Sequence, residues 1–154
     1  MSIPVGDSAL RQVRYSKDNW TYNSDVEDWE PSRQAFQFDR AAPSELGEEE
    51  MSVFLRSGLE ALGASEEDVS TRGGMTEAGA VVAFPNVDAL PDRVEHCSGV
   101  AATPMAEPAT IGQAHASIYR PKLDRMQRRQ LHAELVAQSE LCTAFERPDW
   151  PPPG

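Results

Sequence analysis

Three stretches of this sequence predict an α+β fold, built as a small mixed β-sheet with one long C-terminal amphipathic helix packed on one face. Residues 78–84 (AGAVVAF) form an unbroken small-apolar run of strand length, the pattern of a central strand buried on both faces. Residues 113–119 alternate Ala114, Ala116 and Ile118 with His115, Ser117 and Tyr119, a strand pattern that Pro121 stops. Asp124 and Gln127 are then spaced as a capping box at the head of a helix over residues 123–141. Such a helix has one apolar side to bury, and a sheet of about four to six strands supplies the surface.

The remaining elements follow in order. Residues 8–15 (SALRQVRY) alternate and suit a strand; residues 16–31 are polar and read as a loop, folded back on the body by Trp20 and Trp29 because exposed indoles are costly to leave wet. Residues 32–39 (SRQAFQFD) read as a short strand with Phe36 and Phe38 on one face. Residues 50–55 favour a strand and residues 56–62 a helix closed by Gly63, followed by a brief helix from Ser65 that Gly73 and Gly74 break. After Pro85 come a single helical turn at 86–90, an edge strand at 93–97 and a proline-marked loop at 103–112.

The chain has 154 residues, 40% of them hydrophobic, enough for one core and too few for two ordinary ones. The expected organisation is a flexible N-terminus (1–7), a single α+β domain (8–145) and an extended proline-rich tail (146–154). No apolar run approaches the roughly 18 residues that span a bilayer, and the first residues lack the regions of a signal peptide. The expected location is cytoplasmic, with no membrane partner and with Cys97 and Cys142 as reduced thiols.

Charge is unevenly distributed. The net charge is −11, yet residues 120–132 carry five basic and one acidic side chain. Arg125, Arg128, Arg129 and His132 fall within about one third of a helical circumference, with Leu123, Met126, Leu131, Ala133, Leu135 and Ala137 opposite. Cations in a first helical turn oppose the helix dipole, so Lys122 and Arg125 call for a compensating anion. That anion is the chain's own acid around residues 45–50, the acidic surface of a partner, or a phosphate. An acidic protein repels nucleic acid at long range, which disfavours that class.

His115 is the best single catalytic candidate, an acid/base group beside a basic turn, with a histidine hydrogen-bonded within the fold as the structural alternative. Ser117 and Tyr119 share its strand face, but side chains two apart lie roughly 7 Å from each other, so the three are no triad. His96 and Cys97 point to opposite faces of their strand and form no dyad; a pairing of Cys97 with His115 would need a depressed thiol pKa. The dispersed histidines and cysteines lack the spacing of a metal site, no phosphate loop accompanies the glycines, and no cofactor is expected.

Several short elements together resemble a group of small bacterial proteins without an assigned activity: Ser32, Ala35 and Phe36; Met51, Ser52 and Val53 followed by an acidic helix; and Pro108, His115, Ala116, Ile118 and Lys122 before a basic helix. The resemblance implies an accessory member of a bacterial multigene cassette, of the defence or toxin-related kind. The expected function is therefore a non-catalytic interaction protein whose partner is a second protein of that cassette, contacted through Arg120, Lys122, Arg125, Arg128, Arg129 and His132. Two alternatives stand beside it: a small enzyme or ligand-binding domain for a phosphorylated or nucleotide substrate near His115, with Arg120 and Lys122 holding the anion, and a nucleic-acid-associated factor.

Overall fold

The computed structural model describes residues 3–40, 49–72, 79–96, 111, 114–121, 123–142 and 148–153. In chain order the strands are β1 (Ala9–Arg14), β2 (Trp20–Asn23), β3 (Asp28–Pro31), β4 (Asp39–Arg40), β5 (Glu49–Leu55), β6 (Gly79–Phe84), β7 (Arg93–His96), β8 (His115–Arg120) and β9 (Glu140–Leu141). The helices are α1 (Arg56–Ala61), α2 (Glu66–Arg72) and α3 (Arg125–Ala137).

The fold is α+β. The main sheet runs β7-β8-β5-β1-β6-β9, with β4 pairing the part of β5 that β1 leaves free. Every described pairing is antiparallel, where the sequence suggested a mixed sheet. The reason is the place of β1. The α1–α2 crossover joins β5 and β6, which run in the same direction, but β1 is inserted between them and pairs with both. β6 is buried along its whole length, yet it lies one place from the sheet edge and not at the centre.

Strand alternation sends side chains to two faces. One carries Ala9, Val13, Met51, Val53, Val82, Phe84 and Ile118, covered by Trp20, Phe36 and Leu135 of α3. The other carries Leu10, Phe54, Val81 and Ala83, covered by Leu59 of α1 and Val69 of α2. Helices therefore occupy both faces, and α3 packs on one of them. Gly63, at φ 70°, closes α1 with Ala64 N–H donating to the Leu59 carbonyl, the bond of a left-handed helix stop.

Three local readings are corrected. The expected loop at 16–31 is a β2–β3 hairpin, turned through Glu27 at φ 54°, with Trp20 buried and its indole N–H donating to the Arg14 carbonyl. The expected strand at 32–39 is a 3-10 turn, Arg33–Phe36, because the Ser32 hydroxyl accepts from Gln34 N–H and starts a helical turn. The last helix stops at Ala137, not 141, since Glu140 and Leu141 pair with Ala83 and Val82 and extend the sheet.

Near the N-terminus two residues, Ile3 and Asp7, contact the body of the fold. Ile3 packs on the core, and the Asp7 carboxylate accepts from Ser57 N–H at 3.1 Å and from the Ser57 hydroxyl. The proline-rich tail docks through Trp150, whose ring meets Trp29 edge-on at 5.3 Å while the Trp29 indole donates to the Trp150 carbonyl. Residues 41–48, 73–78 and 97–110 are outside the description, and with them the Gly73–Gly74 break, Cys97 and most of the loop at 103–112.

Candidate functional site

The expected capping box is present: the Asp124 carboxylate accepts from Gln127 N–H at 2.8 Å, and the Gln127 side chain accepts from Asp124 N–H. This fixes where α3 starts, and the start fixes which side chains face the sheet. Leu135 is the buried anchor, Leu131, His132 and Val136 are half-buried, and Met126 is 73% exposed. The face is rotated from the sequence expectation. His132 turns inward, its ring edge-on to Phe36 at 6.3 Å, whereas Met126, Ala133 and Ala137 turn outward. The cause is tertiary: Phe36, presented by the 3-10 turn, is the surface on which α3 lies.

The cationic residues divide into two sets. Arg120, expected on the surface, is 1% exposed and holds Asp92 in a two-pronged ion pair, Nε to Oδ1 at 3.2 Å and a terminal nitrogen to Oδ2 at 2.8 Å. The Phe38 ring covers its guanidinium at 3.7 Å. Planar, bidentate pairing under an aromatic face is the geometry arginine satisfies and lysine does not. By contrast Arg125 and Arg129 are exposed and have no ion-pair partner among the described residues, and the same is true of Arg33. Arg128 is loosely approached by Glu49 at 3.7 Å and donates to the Leu123 carbonyl. Lys122 lies outside the described residues.

Between the 3-10 turn and α3 these side chains border a cleft of about 410 Å³, whose lining includes Arg33, Gln37, Phe38, Glu49, Arg128 and His132. A second, apolar groove of about 650 Å³ continues from it along Ala133, Val136 and Ala137, rimmed by Arg129, with Arg33 and His132 shared between the two. His132 Nε2 is buried with no hydrogen-bond partner among the described residues. Burial, then the positive charges of Arg120 and Arg33, hold the ring below its ordinary pKa of 6.5, opposed by Asp92. His132 is thus neutral at pH 7, not the fourth cation of a basic stripe.

His115 sits on the opposite face of the sheet from Arg120, as their odd and even places in β8 require. The sequence had grouped the two around one anion; the strand separates them. The ring is 4% exposed, 5.7 Å from the Phe54 ring, and neither nitrogen has a hydrogen-bond partner among the described residues. Burial lowers its pKa. Ser117 donates to Glu50 Oε2 at 3.2 Å rather than to a histidine. Cys142 is a free, half-buried thiol whose pKa is pushed up to about 11, chiefly by burial, so it is protonated and unreactive at neutral pH. No group of three or more acidic, histidine or cysteine side chains among the described residues is arranged to hold a metal. No described helix is long and apolar enough to cross a membrane.

The cleft and groove were not legible beforehand, because Arg33 and Phe38 were assigned to a strand and His132 to the outer face of α3. A Ser cap followed by Arg-Gln-Ala-Phe was the available signal for the 3-10 turn. Comparison with protein-family models, with curated proteins and with solved structures finds no match.

Proposed function

We propose that this chain is a non-catalytic interaction protein that binds an acidic partner through the exposed arginines of α3, with Arg125, Arg128 and Arg129 as the contacting cations. The observation that carries the reading is the segregation of charge. In a chain of net charge −11, Arg125 and Arg129 stand exposed and unpaired among the described residues, and Arg128 is held only at 3.7 Å. Surface ion pairs contribute little to stability, so exposed arginines on one helix side are spared for an intermolecular contact. The resemblance to accessory proteins of bacterial cassettes makes a protein encoded in the same cassette the natural partner.

Charge reversal at all three arginines is the test. Arg125→Glu, Arg128→Glu and Arg129→Glu together should abolish co-purification with the cassette partner while leaving the melting temperature within a few degrees. Retained association would overturn the reading. A nucleic-acid partner would instead show a steep fall in affinity with salt. The alternative centred on His115 has in its favour two ring nitrogens unpartnered among the described residues, but it loses Arg120 as an anion holder, because Arg120 is committed to Asp92 on the other face.

A further inference from the structure

Resting on the reading above, we infer that the trough between the Arg33–Phe36 turn and α3 seats a short acidic segment of the partner in which carboxylates alternate with apolar side chains. The trough is one feature with two chemistries. At one end Arg33, Arg128 and Arg129 offer guanidinium groups, of which Arg33 and Arg129 have no ion-pair partner among the described residues. At the other, Ala133, Val136 and Ala137 line an apolar groove of about 650 Å³ open to the surface. Arg33 and His132 belong to both, so an occupant of one is adjacent to the other.

Dimensions and charge select the occupant. From Arg128 to Ala137 the helix rises about 14 Å, which an extended chain of about four residues spans. Alternate side chains of an extended segment point opposite ways, so one set meets the arginine rim while the other meets the Ala133–Val136 floor. Among the described residues the rim is cationic, and the acid Glu49 sits 3.7 Å from Arg128, loose enough for an incoming carboxylate to displace. A small inorganic anion would use the rim and leave the apolar groove unused, which is why a peptide is favoured.

The probe is the peptide acetyl-Glu-Leu-Glu-Leu-amide, added to the intact chain and followed by amide and histidine-ring NMR shifts. Shifts should appear at His132, Ala133, Val136 and Ala137. Arg33→Glu and Val136→Glu should each weaken binding at least tenfold, whereas Arg14→Glu, an exposed reversal that lines neither part of the trough, should change it less than twofold. Val136 is half-buried, so Ala137→Glu, an exposed change on the same floor, gives a second reading that does not depend on core packing. Equal binding of acetyl-Glu-Gly-Glu-Gly-amide or of inorganic phosphate would overturn the inference, since the apolar groove would then be idle. Self-association of the chain that Ala137→Glu abolishes would also overturn it, in favour of a second copy as occupant. Loss of partner on triple arginine reversal with full retention in Ala137→Glu would sink the trough and leave the basic-face reading standing. Retention in the triple variant would sink that reading itself.

Discussion

On the α1–α2 side of the sheet, Leu10, Phe54, Leu59, Val69 and Val81 form an apolar core, whereas the α3 side buries the Arg120–Asp92 pair, with Phe38 over the guanidinium, and leaves a cleft open beside it. The same strands build both. Each histidine reports its own side: His115 is held neutral by burial alone, His132 by burial together with two neighbouring arginines and against one aspartate. One face is closed by tight contact of small residues, with a Cβ on Gly58 falling 2.9 Å from the Ala114 Cβ; the other is spanned by a helix with a single fully buried anchor, Leu135. The difference places the buried ion pair and the arginine-lined cleft on the side where α3 rests on Phe36, while the core of the α1–α2 side is built of apolar side chains.

Breaking the buried ion pair should have the largest effect. Arg120→Ala leaves Asp92 uncompensated at 1% exposure, and a loss of about 3–5 kcal/mol is expected in urea unfolding. Arg120→Met with Asp92→Leu should restore most of that stability, because both charges leave together.

On the α1–α2 face the signs invert. His115→Leu removes two buried nitrogens without partners and should stabilise by about 1–3 kcal/mol. It should also flatten the acid limb of the stability profile. The folded-state pKa of His115 is lowered, so the unfolded chain takes up the proton first. Stability is full above about pH 6.5, falls as pH drops through that unfolded value, and levels off once the folded ring is charged. Unfolding curves between pH 7.5 and 5 that keep their slope in His115→Leu would contradict this.

Gly58→Ala should cost about 1–3 kcal/mol, since the added methyl meets the Ala114 backbone and side chain. Ala133→Ser, facing the open groove, should shift stability by less than about 0.5 kcal/mol. Smallest of all, each single reversal at Arg125 or Arg129 should move stability by no more than about 0.5 kcal/mol; a larger drop would mean these residues serve the fold.

Much of the fold was legible locally. β1, β5, β6, β8 and the α3 capping box follow from alternation, apolar runs and the Asp124–Gln127 spacing, all of which act within a few residues. The site was less so. Helical periodicity at α3 is weak: two alanines and Met126 on one side, Arg128 and His132 on the other, leave the wheel undecided until Phe36 chooses the buried side. Arg120 read as one more surface cation because Asp92, 28 residues earlier, is brought beside it only by the β7–β8 pairing.

Sequence alone determined the α+β class, the main strand runs, the head of the last helix and the concentration of positive charge in residues 120–132, because each depends on short-range backbone chemistry or on simple composition. Tertiary structure alone decided that β1 divides β5 from β6, that Arg120 is consumed by Asp92 while Arg125 and Arg129 stay free among the described residues, and that His115 and Arg120 face apart. Those outcomes turn on which distant residues share a sheet face. Burial and charge pairing across the fold set them, and neither is written in the spacing of neighbours.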